Sequence, residues 1–291
     1  MDDPSTDSVA AADRLFRLWM RQNLETAARH FQATIAGPAV FGWLDRTIGA
    51  RCTQSGHERW LRVASEQLEW AGGLMWTGNV ESSVVTGIPK PIVLDVHEWE
   101  QDHWRRQRAE LMTLLPGQPC SPTDVAQLDD EPSSHWWSQL GDALTRLAAT
   151  PTTRVSINQA KVDRRTRAAF GTSIRVEIQH WETVHGDLHW ANLMLPFGIL
   201  DWEQWGTGPA GYDAATLYCY SLTQPYLAEK VREKFSDVLD SPSGRCALLY
   251  VAARLLDRSG QGDHPNLVAP LRCLTDQILG QPLDPAVPGS E

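Results

Sequence analysis

The chain has 291 residues, 42% of them hydrophobic, and a formal net charge of −10. That length fits two lobes of ordinary size, and the apolar content excludes wholesale disorder. The acidic balance argues against nucleic acid as a partner. The five cysteines form no CxxC pair and match no zinc spacing, which points to reduced thiols and a cytoplasmic location. No secretory leader is evident, and no window is apolar over the length that spans a bilayer, so no membrane partner is expected.

From the N-terminus, Leu15, Leu18, Trp19, Leu24 and Phe31 form an apolar stripe that predicts a helix from Ser8 to about Ala36, capped by Asp7 or Ser8. Residues 41–54 and 59–65 read as two strands joined by the turn SGHE. Residues 66–85 read as mostly helical but broken by Gly72, Gly73 and Gly78, and 90–101 and 103–115 as strands. The next stretch, PGQPCSPTDVAQLDDEPSS, is turn chemistry and marks a lobe boundary, giving residues 1–115 and 116–291 as the two lobes. Beyond it the chain reads as helical: 135–150 by the spacing of Trp137, Leu140, Leu144 and Leu147, then 162–170 and 174–184. Four further helices are predicted at 212–222, 227–240, 244–259 and 267–280, and the tail 281–291, with three prolines, reads as loose. The fold class is therefore α+β, with a strand-rich first lobe and a helical second one.

Within the helical half lies HGDLHWANLMLPFGILDWE, residues 185–203. Leu193–Leu195 and Gly198–Asp201 read as the arms of a small hairpin, which brings Asn192 and Asp201 together at its open end. An amide oxygen beside a carboxylate offers two hard ligands of the kind magnesium accepts while it takes the rest of its shell from water and substrate phosphates. Asp187, five residues before Asn192, can accept a proton from a hydroxyl without itself binding metal. The same residue types cap turns and helices everywhere, so the three residues alone fit a structural role as well.

The wider words narrow that choice. HGDLHWANL followed by ILDWE resembles the catalytic and metal-binding motifs of the aminoglycoside phosphotransferase and choline kinase group, small-molecule kinases with a protein-kinase-like fold. His185, Asp187 and Asn192 meet the H-x-D-x-x-x-x-N pattern, and Asp201 opens the second motif. The resemblance implies a two-lobed protein-kinase-like fold and Asp187 as the catalytic base. Asn192 and Asp201 would hold Mg2+ on ATP or GTP, and His185 would brace the loop. His189 stands where it either donates to the transferred phosphate or packs, and Asp213 caps its helix or ties down the loop. In the first lobe the resemblance calls for a nucleotide-binding lysine, where this chain has Arg62, with Arg59 and Lys90 as rivals. Its carboxylate partner would be Glu81, with Glu66 and Glu69 as rivals. The glycine loop is eroded, since TIGARCTQSG matches no GxGxxG. Eleven residues separate Asp201 from Asp213, too few for the activation segment of a protein kinase, which favours a small-molecule acceptor.

The function these readings imply is an ATP- or GTP-dependent O-phosphotransferase acting on a hydroxyl of a small polar molecule. The acceptor is foremost an antibiotic, aminoglycoside-like or bearing a sugar or nucleoside, so that transfer confers resistance. The alternatives are a metabolic kinase for choline, a sugar or an amino alcohol, and a nucleotide-binding pseudokinase. Trp190, Trp202 and Trp205 cluster at the motif, with packing favoured over ligand binding.

Overall fold

The structure, a computed structural model, describes residues 4–101 and 103–280. The predicted tail 281–291 lies outside them. The chain divides into two compact units, one of Met1–Ser83 with Pro91–Leu115, the other of Val84–Lys90 with Pro116–Glu291.

In the first unit, helix α1 (Pro4–His30) starts earlier than predicted, so positions 7 and 8 fall within it and not ahead of it. It also ends earlier, because Gln32 turns through a positive φ of 53° and residues Thr34–Ile35 leave to form β1. The predicted strand 41–54 is two strands. Val40–Phe41 (β2) and Thr47–Gln54 (β3) flank a tight turn in which Leu44 and Asp45 take φ values of 52° and 54°. β4 (His57–Gln67) follows across a turn at Gly56 (φ 78°). The 66–85 stretch holds only one short helix, α2 (Leu74–Glu81), since β4 runs on to Gln67 and the glycine pair begins the helix late. β5 (Val93–Gln101) and β6 (Arg105–Thr113) complete an antiparallel sheet in the order β1-β3-β4-β6-β5, with β2 on β3. Met20 and Leu24 of α1, with Phe31 just past its end, pack on Ile48, Leu61, Val63 and Leu111, so the helix seals one face of the sheet. The glycine stretch 47–56 is a plain hairpin. Gly49 is there because a Cβ would sit 2.7 Å from the Trp60 ring on the paired strand.

The second unit begins with residues 84–90, whose Val85 and Ile88 join its core. After a turn-rich segment carrying β7 (Gln118–Pro119), α3 (Ser134–Ala148) buries Trp136, Trp137, Leu140 and Leu147, and its Ser133 cap accepts from the Trp136 N–H. α4 (Gln159–Phe170) follows, capped by Asn158. The predicted helix 174–184 is absent. Its alternation of β-branched residues, Val176 and Ile178 inward, is a period-two pattern, and it ends in β8 (Trp181–Val184) paired with β10 (Gly206–Pro209). Between these lies β9 (Met194–Leu195), paired with β7. α5 (Tyr212–Ser221), α6 (Pro225–Lys234), α7 (Ser236–Leu239), α8 (Pro242–Gly260) and α9 (Val268–Leu279) then build the helical body, the predicted 227–240 helix being broken at Phe235. Trp190, Trp202 and Trp205 are all buried in this core, as packing. Cys52, Cys120, Cys219 and Cys246 are buried free thiols and Cys273 is exposed. Among the described residues no helix is long and apolar enough to cross a membrane.

Candidate active site

The HGD turn is built from backbone demands. Gly186 has φ 85°, and a Cβ there would lie 2.5 Å from the Gln204 carbonyl, so only glycine fits. Asp213, in the first turn of α5, reaches back and accepts from the His185 N–H (2.6 Å) and the Gly186 N–H (3.1 Å). It therefore ties down the loop and does not cap its own helix. Burial pushes the Asp213 carboxyl up to about 7, against the lowering effect of those two N–H groups.

His185 is fully buried and braces the loop from the other side, its Nε2 donating to the Leu200 carbonyl at 2.8 Å. The Asp187 N–H points at its Nδ1 at 3.4 Å. Both contacts suit the neutral ring with the proton on Nε2, and burial holds the imidazole down to about 4.

Asp187 has one oxygen committed. Oδ1 accepts from Arg254 Nη2 at 3.2 Å. Oδ2 lies 3.7 Å from His189 Nε2, beyond hydrogen-bond range. Burial alone would raise its pKa, but Arg254, with His189, His185 and Arg258, outweighs that and keeps the carboxyl below the usual range. A carboxylate that stays ionised with one oxygen open is suited to accept a proton.

Asn192 and Asp201 stand on the two arms of the predicted hairpin. The Leu200 N–H donates to the Asn192 carbonyl at 2.8 Å, and Leu193 bridges to Ile199, so Asn192 faces Leu200, the residue before Asp201. Asn192 Nδ2 donates to the Asp187 carbonyl (3.0 Å) and lies 3.1 Å from His189 Nε2; its side-chain oxygen is of the hard kind that magnesium accepts. Asp201 is exposed and has φ 54°, a conformation uncommon for a residue other than glycine and frequent at functional sites. Among the described residues no group of three or more His, Cys, Asp or Glu could hold a metal by itself. One amide oxygen and one carboxylate instead fit an ion that arrives with a nucleotide and keeps phosphate and water ligands, as magnesium does.

Beyond His189 lies a polar cluster that the sequence reading did not find. Asp124 Oδ1 is 3.7 Å from His189 Nε2, and its Oδ2 meets His264 Nε2 (3.3 Å) and Arg258 Nη1 (3.4 Å). Arg258 also pairs with Asp263 (2.9 Å) and donates to the Tyr220 hydroxyl (3.0 Å). Asp124, Arg258, Asp263 and His264 lie 55–61 positions outside residues 185–203, which is why spacing could not reveal them. A local signal existed, since Arg254 interrupts the apolar run YVAARLL of α8.

In the first unit, Arg62 on β4 pairs with Glu110 Oε2 at 3.4 Å, its register partner on β6. Glu110 is buried and also accepts from Asn79 (2.8 Å) and Arg108 (3.0 Å). Arg62 thus has a strand carboxylate that was not among the predicted partners. Glu81 stands exposed at the last residue of α2. Of the rivals, Arg59 donates to the Glu58 carbonyl at 3.1 Å, and Lys90 lies over the Trp202 ring at 5.7 Å with its pKa lowered by burial.

The model of the phosphotransferase enzyme family, APH, matches residues 159–240, which include Asp187, Asn192, Asp201 and Asp213. No curated protein matches the chain. The crystal structure of aminoglycoside phosphotransferase APH(4)-Ia is similar with a TM-score of 0.59 at 12% identity, over 88% of this chain and 97% of that one. A thermostable mutant of that enzyme, in ternary complex with ADP and hygromycin B, gives 0.58 at 13% identity, over 88% and 97%. Amicoumacin kinase hAmiN, in complex with AMP-PNP, Ca2+ and Ami, gives 0.57 at 13% identity, over 91% and 95%. At such identities the likeness establishes the fold, which is protein-kinase-like and α+β. The class these findings define is the small-molecule kinase, a phosphotransferase with a protein-kinase-like fold. Its sequence match, over 159–240, is to the phosphotransferase enzyme family, in line with the resemblance carried by HGDLHWANL.

Proposed function

We propose that the protein transfers the γ-phosphoryl group of ATP or GTP to a hydroxyl of a small polar molecule. The observation that carries this reading is that Asp187, Asn192 and Asp201 stand on one loop and hairpin inside the family-matched segment, Asn192 donating to the Asp187 carbonyl and accepting from the N–H of Leu200, next to Asp201. In the proposed reaction Asp187 Oδ2 takes the acceptor's proton. The acceptor oxygen bonds to the γ-phosphorus, and the bond to the β-phosphate oxygen breaks, releasing the nucleoside diphosphate. Asn192 and Asp201 would hold Mg2+, which supplies charge neutralisation on the phosphate oxygens. His189, beside both Asp187 and Asn192, is the group assigned to the transferred phosphate. Arg62, charged and with a fork that grips phosphate, is assigned to the nucleotide, with Glu110 as its carboxylate in the place predicted for Glu81.

The acceptor we propose is an antibiotic, since proteins of this fold include enzymes named for an aminoglycoside and for amicoumacin. Phosphorylation adds about two negative charges, which would spoil recognition by a drug's target. The test is nucleotide consumption over hydroxyl-bearing antibiotics, nucleosides and amino alcohols, with mass spectrometry for a phosphate adduct. An adduct on choline or a simple sugar alone would move the reading to a metabolic kinase. Tight binding of magnesium–ATP with transfer to nothing, water included, would leave a pseudokinase.

A further inference from the structure

We infer that Arg254 is a positioning residue of the catalytic loop, reaching from the middle of α8 to fix which oxygen of Asp187 faces the acceptor. The inference rests on Asp187 being the base proposed above. Arg254 Nη2 takes Asp187 Oδ1 at 3.2 Å, and Nη1 reaches the Gly186 carbonyl at 3.5 Å. One planar fork therefore holds two successive residues of the loop. The other carboxylate oxygen, Oδ2, makes no hydrogen bond among the described residues and is left for a substrate.

Packing alone gives no reason for an arginine here. The residue is 8% exposed, and its neighbours on the helix, Val251, Ala252, Ala253 and Leu255, are all buried and apolar. Exchanging a buried ion pair for apolar side chains of similar volume is often neutral or stabilising. A guanidinium kept at such a place is explained by the aim it gives the base. The Tyr212 ring, 5.8 Å from the guanidinium carbon, supports it from the side of α5. Arg258, one turn on, is turned to Asp124 and Asp263 and holds a different wall of the site. Lysine could not replace Arg254 fully, because an ammonium on a flexible stem lacks the rigid fork.

The test compares Arg254→Ala and Arg254→Lys in the full chain by two readouts. The first is magnesium-dependent ATP turnover, with water and with any acceptor the screen finds. The second is hydrogen exchange of the amides in residues 185–193, read by mass spectrometry. Arg254→Ala should lower kcat by about a hundredfold, the scale of a misaimed reacting group, while KM for ATP stays within about threefold. Exchange in 185–193 should quicken, and Arg254→Lys should recover part of both effects. If Arg254→Ala does not fold, Arg254→Lys carries the test, with kcat down and loop exchange up. Unchanged loop exchange, a kcat near wild type, or a loss confined to KM for ATP would overturn the inference. A wild-type protein that turns over nothing, with a loop that still loosens in the variants, would overturn Asp187 as base and support the grip.

Discussion

Replacing Asp213 by asparagine separates two effects that the structure superimposes. The first is a constant loss. Asparagine offers one oxygen where the carboxylate offers two, so one of the buried N–H groups of His185 and Gly186 would face an amide NH2. An unmet buried donor costs about 1–3 kcal/mol at every pH. The second effect depends on pH. The folded Asp213 titrates at about 7 against an ordinary 3.8. Its pKa is raised, so its contribution to stability is fully present below pH 4 and is lost as pH rises through 7. Roughly three pH units at about 1.4 kcal/mol each amount to ~4 kcal/mol. His185 works in the opposite sense. Its folded pKa is lowered to about 4 from 6.5, so its contribution is lost as pH falls through that window. In the wild type the two slopes oppose each other between pH 4 and 6.5. In Asp213→Asn only the His185 slope remains, and stability should climb with pH. Urea unfolding followed by tryptophan fluorescence between pH 4.5 and 8 measures both curves, and their difference isolates Asp213. Parallel curves offset by a constant would show that Asp213 stays ionised throughout and would refute the reasoning.

Three further outcomes are expected. Asp187→Asn should cut kcat at least a hundredfold if it is the base, because general-base catalysis is commonly worth about 10²–10⁴-fold; near-normal turnover removes that role. Asp201→Ala should abolish magnesium-dependent transfer while the circular dichroism spectrum is kept, and loss of the fold instead would leave the metal assignment without support. Gly186→Ala should destabilise the protein by more than about 2 kcal/mol, since it joins a positive φ to a Cβ 2.5 Å from a carbonyl, and a melting temperature equal to wild type would contradict that clash.

The centre of the proposed site could be read from the sequence because it is local. Asp187, Asn192 and Asp201 lie within fifteen positions, and a hairpin is a short-range device whose register the strand pattern sets. The walls were not legible, because Asp124, Arg254, Arg258 and His264 arrive from two loops and a helix far from the motif in the chain. The Arg62–Glu110 pair was missed for a related reason, since it depends on strand register across 48 positions. The 174–184 stretch went wrong because a helical neighbourhood outweighed the alternation of Val176 and Ile178. For Trp190, Trp202 and Trp205 the usual behaviour of large aromatics favoured packing over ligand binding, and all three are buried in the core.

The seven residues Val84–Lys90 carry a consequence for how the protein is made. They belong with Pro116–Glu291 although strands of the other unit precede and follow them. Pro89 accepts from the Ile199 N–H, so a segment synthesised early waits for one synthesised more than a hundred residues later. No single cut at Leu115 and Pro116 yields both units whole: the downstream fragment would lack Val85 and Ile88 of its own core. Expressing the helical unit alone therefore calls for grafting this heptapeptide back or supplying it as a separate peptide.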